Sequence, residues 1–149
     1  MEGNLIEKVK QLRKELGLGI MEIKTALEKS GGDKKKAREI LREEGFKKAE
    51  KKAGRETGQG RIATYTHSNG KIGSMVELLC ETDFVARNEE FINLARDLCL
   101  QVAAMAPVSA ADLLKQEFIK DPSKSVDELI KALIAKFGEN IKVGRIARW

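Results

Sequence analysis

Side chains equipped for covalent chemistry are few in this chain, and they are not gathered. The one histidine, His67, lies in a strand-like run beside a turn. Without a patterned nucleophile or carboxylate near it, it reads as a surface or packing residue. Cys80 and Cys99 stand in apolar surroundings with no metal-ligand spacing, so reduced, buried thiols are expected. Lys34-Lys35-Lys36 has charge for a phosphate but lacks the glycine-rich loop that would cradle one. No catalytic residue, metal ligand or cofactor is therefore assigned. The informative stretch is Glu81 to Phe91, ETDFVARNEEF, a charged turn bearing an aromatic between an apolar strand and a long apolar helix. A loop leaving a sheet is held by a rigid scaffold, which is where recognition residues tend to sit. Asp83 and Phe84 on such a turn suit intrusion into another protein's binding site.

The elements that position this turn follow from composition and periodicity. With 149 residues, 42% hydrophobic and 34% charged, the chain has the composition of one folded domain or a core with an appendage. No run approaches the ~18 apolar residues of a membrane span. The start, MEGNLIEKVK, is acidic and amphipathic rather than a secretory leader, so work in the cytoplasm is expected, with no membrane partner. The net charge of +5 is uneven: residues 1–58 hold 16 Lys/Arg against 11 Asp/Glu, and residues 59–149 hold 12 of each. The stretch Lys47 to Arg55 is basic, but glutamates interrupt it and no aromatics are interleaved for base stacking. It reads as a solvated helical linker, and direct nucleic-acid binding is not expected.

Residues 4–45 read as three helices. Leu5, Ile6, Val9, Leu12 and Leu16 share one stripe that Gly17-Leu18-Gly19 stops, and Ile20, Ile23, Ala26 and Leu27 share another, closed by Ser30-Gly31-Gly32. Asp33 can cap the third helix, with Ala37, Ile40 and Leu41 as its apolar positions and Gly45 as its C-terminal cap. So small a core suits docking rather than enclosing a reaction site. The stretch LRKELGLGIMEIKTALEKSGGDKKKAREILRE is similar to the N-terminal ubiquitin-associated-like domain of the elongation factor Ts family. The resemblance rests on Leu12-Arg13, Gly17-Leu18-Gly19, Ile20-Met21 and Glu22 to Leu27, with Ile20 where methionine is commoner. It implies partner docking through Leu12, Arg13, Ile20 and Met21.

Beyond the linker the period changes. Gly60 to His67 and Lys71 to Cys80 are strand-like around Ser68-Asn69-Gly70, a hairpin signal. Met75-Val76 and Leu78-Leu79 predict a central second strand covered on both faces. Thr82 and Asp83 can cap a short helical turn, and Asn88 the following helix. In that helix Phe91, Ala95, Leu98, Val102 and Met105 form a stripe, widened by Ile92, Cys99 and Ala103, with Arg96, Asp97 and Gln101 as its polar residues. The run ELLCETDFVARNEEF, residues 77–91, resembles the same family's signature. The resemblance implies that Thr82, Asp83, Phe84 and Val85 reach the GTPase elongation factor Tu, disturb its magnesium and phosphate site, and promote GDP release so that GTP can bind. That is exchange without covalent chemistry.

Ser109 and Ser125 have capping-box spacing ahead of two further helices, Asp121-Pro122 breaks the first, Gly138 stops the second, and Ile141 to Trp149 is a last strand with a slip near Gly144. GENIKVGRIARW resembles the family's closing strand, with Gly144, Ile146 and Trp149 as departures. The expected fold is α+β: a three-helix ubiquitin-associated-like unit at 1–46, a basic helical linker at 47–59, and a shortened, helix-covered antiparallel sheet core at 60–149. Between residues 107 and 118 the chain is shorter than long members of the family, whose two core halves are related like a dimer. A monomer and a homodimer across an exposed sheet edge both stay open at this point. The alternative function is a basic docking protein without exchange activity.

Overall fold

The computed structural model describes residues 2–149. Three helices come first, α1 (Glu2–Leu16), α2 (Ile20–Lys29) and α3 (Lys34–Lys52). Gly17 takes φ +66°, the left-handed conformation that lets α1 end abruptly. The Asp33 carboxylate caps α3, accepting the Lys35 and Lys36 amides at 2.8 and 3.2 Å. Leu12, Ile23, Ala26, Leu27, Ala37 and Leu41 pack into a small core between the three.

The remaining elements are β1 (Gln59–Thr66), β2 (Gly73–Cys80), α4 (Asp83–Ala86), α5 (Glu89–Met105), α6 (Ala110–Lys115), β3 (Glu117–Phe118), β4 (Asp121–Ser125), α7 (Val126–Phe137) and β5 (Ile141–Arg148). The main sheet is antiparallel in the order β1-β2-β5, so the fold is α+β with β2 at its centre, as the sequence indicates. Val76, Leu78 and Cys80 point to the side covered by α5, where Phe91, Leu98 and Val102 complete the main core. Each such side chain contributes about 1.5–3 kcal/mol by leaving water. Between β2 and β5 the register slips: Val76 faces Ile146 while Leu78 faces Val143. Gly144 and Arg145 therefore both lie opposite Glu77, whose carboxylate takes the Arg145 amide at 3.2 Å and its guanidinium at 2.9 Å. This is the bulge expected near Gly144.

Two expectations need correction, and two features were not foreseen. Gly45 does not cap α3. The helix runs on to Lys52, and Gly45 lies buried where a Cβ would come within 3.1 Å of the Ala135 Cβ, so its role is close approach of α3 to α7. Strand β2 is covered on one face only: Ser74, Val76, Leu78 and Cys80 are buried, while Met75 and its neighbour Ile62 on β1 stay exposed on the other. Gln101, one of the polar residues of α5, is fully buried. Its amide donates to the Gln116 side chain and the Glu117 carbonyl, and its oxygen accepts the Ile119 amide at 2.9 Å. Those bonds hold the small β3–β4 hairpin, which the sequence did not announce because Pro122 sits inside β4.

Candidate functional site

Strand β2 ends at Cys80, and the chain turns at once into α4. Thr82 begins that turn in an extended conformation (φ −122°, ψ 157°), and its hydroxyl oxygen accepts the Val85 amide at 3.5 Å. Arg87 ends α4, and Asn88 immediately caps α5 by accepting the Glu90 amide at 2.9 Å. Two caps six residues apart leave α4 a single turn. A turn this short has no helical stability of its own, so burial on one side must hold it.

That burial divides the turn sharply. Val85 and Ala86 are each 7% exposed and sit in the main core, whereas Phe84 is 84% exposed and projects away from it. Beside it Asp83 is half-buried and pairs with Arg87 at 2.9 Å, an i,i+4 contact on the open surface. Phe84 is thus a large aromatic left in water on a well-anchored turn. Of the four turn residues singled out from the sequence, Thr82 shapes the turn, Asp83 and Phe84 face outward, and Val85 anchors it.

The second set is divided in the same way. Leu12 is fully buried in the N-terminal core, so its side chain supports the surface instead of forming it. Arg13 is exposed in the last turn of α1. Ile20 and Met21 open α2 at 48% and 70% exposure, behind Gly19, whose amide donates to the Glu22 carboxylate at 3.2 Å. Ile20 thus leaves the stripe to which its spacing assigns it. The two sets lie on different cores, the turn on the main one and Ile20-Met21 on the three-helix one.

Around the turn the polar groups are tightly paired. One Glu139 oxygen accepts the Glu81 amide at 3.2 Å and the Thr82 amide at 2.9 Å, and the other accepts the Thr82 hydroxyl at 2.6 Å. The buried Asn140 amide donates to the Ala53 and Arg55 carbonyls at 3.3 and 2.9 Å, and its backbone N–H donates to Glu81 at 3.3 Å. Neither Glu139 nor Asn140 was singled out from the sequence. They lie some 57 to 59 residues from the turn, and only the GENI run quoted above marks them. Burial pushes the Cys80 thiol up to about 11, with the nearby Glu139 charge adding to the shift, and the thiol donates to the Thr82 carbonyl at 3.1 Å. Burial likewise raises Cys99. Both cysteines are free and protonated at neutral pH, so neither offers a thiolate nucleophile. Among the described residues no group of His, Cys, Asp and Glu is placed to hold a metal ion, and no helix is long and apolar enough to cross a membrane.

The sheet-and-helix core thus lifts one aromatic and one carboxylate into solvent on a clamped turn. Residues 81–149 match the family model described as Elongation factor TS. The chain is 39% identical to elongation factor Ts of Leptospira biflexa over 188 aligned positions, covering 96% of this chain and 95% of that protein. It is 40% identical to elongation factor Ts of Rubrobacter xylanophilus over 189 positions, covering 97% of each. With elongation factor Ts of Aquifex aeolicus it shares 47% identity over 149 positions, 97% of this chain and 51% of that protein. The chain belongs to the elongation factor Ts family and is a translation elongation factor. The first two alignments are longer than the 149-residue chain, so those relatives carry stretches with no counterpart here.

Proposed function

We propose that this protein is a guanine-nucleotide exchange factor for elongation factor Tu, acting in the cytoplasm through the turn at Thr82–Val85. The observation that carries the reading is Phe84: a phenylalanine 84% exposed between the capping residue Thr82 and the buried pair Val85-Ala86. Inserted between helices of the GTPase, it would shift the side chains that position magnesium. With the ion displaced, the diphosphate is less well neutralised and GDP leaves faster. Asp83 adds a carboxylate where the partner holds its cation. Linkage sets the thermodynamics: if the factor binds best to the state that holds GDP poorly, each ligand weakens the other by the same factor. GTP then refills the site and displaces the factor.

The three-helix unit serves in this reading as a ubiquitin-associated-like docking module, with Arg13, Ile20 and Met21 as its contact surface and Leu12 beneath it. A second contact on the same partner raises the local concentration of the wedge and fixes its approach. The second reading, a basic docking protein without exchange activity, draws on Lys47, Lys48 and Lys51, exposed along the last turns of α3. Release of a fluorescent GDP analogue from elongation factor Tu separates the two. Acceleration that Phe84→Ala largely removes supports exchange by the wedge. Unchanged release, together with binding that a little salt abolishes, supports the docking reading.

A further inference from the structure

The turn that carries Phe84 is too short to hold its own direction, and the carboxylate that clamps its start comes from the far end of the chain. Helix α7 stops at Gly138, which takes φ +71°, and the next two residues lie against the turn before β5 begins. Resting on the exchange reading above, we propose that Glu139 is a positioning residue for nucleotide exchange, aiming Phe84 through Thr82.

The geometry is specific. A carboxylate offers about four acceptor sites, and Glu139 commits three of them to Glu81 and Thr82. The Thr82 hydroxyl passes the restraint on, donating its proton to Glu139 at 2.6 Å while its oxygen accepts the Val85 amide. That amide belongs to the residue after Phe84. The relay runs Glu139 carboxylate, Thr82 hydroxyl, Val85 amide, its last link a long 3.5 Å contact, and it adds to the burial of Val85 and Ala86 in setting the rotation of α4 about its axis. Rotation of one helical turn by a single residue step moves a side chain through about 100°, which would carry Phe84 off its line. Glu139 is itself held on both sides, by the Gly138 cap before it and by the buried Asn140 after it, whose side chain grips the chain just beyond α3. The carboxylate is therefore supported before any partner arrives, which is what a pre-organised contact requires.

The test is a double-mutant cycle read by release of a fluorescent GDP analogue from elongation factor Tu, across a range of factor concentrations. Glutamine at 139 keeps the length and one acceptor oxygen but loses the charge and the second acceptor. Charge-assisted hydrogen bonds carry enough that Glu139→Gln should lower the maximal release rate by roughly 10-fold. On a Phe84→Ala background the same substitution should change release less than about twofold, because it acts only through Phe84. Thr82→Val, which removes the relay hydroxyl, should reproduce the loss, and Thr82→Ser should restore it; the Thr82 pair decides the matter if Glu139→Gln does not fold. Equal losses on both backgrounds, or a native maximal rate in Glu139→Gln and Thr82→Val alike, would overturn the positioning role. Failure of the exchange reading is visible earlier, as absent acceleration by the unsubstituted protein or an undiminished rate in Phe84→Ala, and either result removes this role with it.

Discussion

Replacing Phe84 by alanine should leave the protein as stable as before and cripple what it does to its partner. In the free protein the ring is 84% exposed, so truncation takes almost nothing from the core, and Val85 and Ala86 still anchor the turn. Surface substitutions of this kind change stability within about ±0.5 kcal/mol. Against the partner the balance is different. Full burial of a phenylalanine is worth about 1.5–3 kcal/mol, and each 1.36 kcal/mol is a factor of ten in rate when the contact is made in the transition state. If Phe84 enters elongation factor Tu only as GDP leaves, release should slow by roughly 10- to 150-fold. The assay is stopped-flow release of a fluorescent GDP analogue, with urea unfolding of both proteins alongside. Phe91, fully buried in the main core, supplies the contrast: Phe91→Ala should cost about 3–5 kcal/mol of stability. A Phe84→Ala protein that unfolds at clearly lower urea would show that the ring packs at home. One that releases GDP at the native rate would refute the wedge.

Gly45→Leu should lower stability by about 1–3 kcal/mol, measured by urea unfolding, because a side chain there meets Ala135 across the α3–α7 contact. Gln101→Leu keeps the volume but strands the Ile119 amide, and should cost about 1–3 kcal/mol; hydrogen exchange at Ile119 should quicken more than at Phe91. Glu77 sits below its ordinary 4.5, first because Arg145 donates to it, and Glu15 is lowered in the same way by Arg38. A lowered carboxylate adds stability above its unfolded value and loses it as pH falls through the folded one, so stability should decline from about pH 4.5 downward. In Arg145→Ala that acid decline should be shallower; an unchanged acid limb would remove the pair from the account. The open face of the sheet, with Ile62 and Met75, lies beside the unpaired edges β1 and β5. A concentration-dependent dimer in sedimentation is expected from it, and monomer alone at high concentration would sink that expectation.

The parts of this architecture written in local sequence were the ones that could be read from it. Asp33, Thr82, Asn88, Ser109 and Ser125 all cap where their spacing places them, because a cap depends on residues two or three positions away. The outward direction of Phe84 was read from its place on a turn leaving the sheet and from the resemblance, against an apolar type that alone argues for burial. What stayed hidden depends on partners distant in the chain. Gly45 looks like a helix end until Ala135, 90 residues on, explains it as a contact. Gln101 is a polar residue whose burial shows only once the β3–β4 hairpin closes over it. Glu139 looks like an ordinary loop acid until the turn folds back onto it.

Helix α3 is shared between the two cores: Ala37 and Leu41 pack into the three-helix core, and Ala49 packs into the main one. Its 19 residues run without a break, about 28 Å at 1.5 Å per residue, and Arg42 pairs with Glu128 at 2.8 Å along the way. The connection is thus a strut, and on the exchange reading proposed above the two contact surfaces behave as the jaws of a calliper set to one gap. A flexible string would let both jaws follow a partner through any change of shape. A calliper fits one spacing and springs off the others. If both jaws grip the same GTPase, a few ångströms of movement between its domains on taking up GTP would be enough to unseat one of them. The factor's departure would then be timed by the partner's geometry.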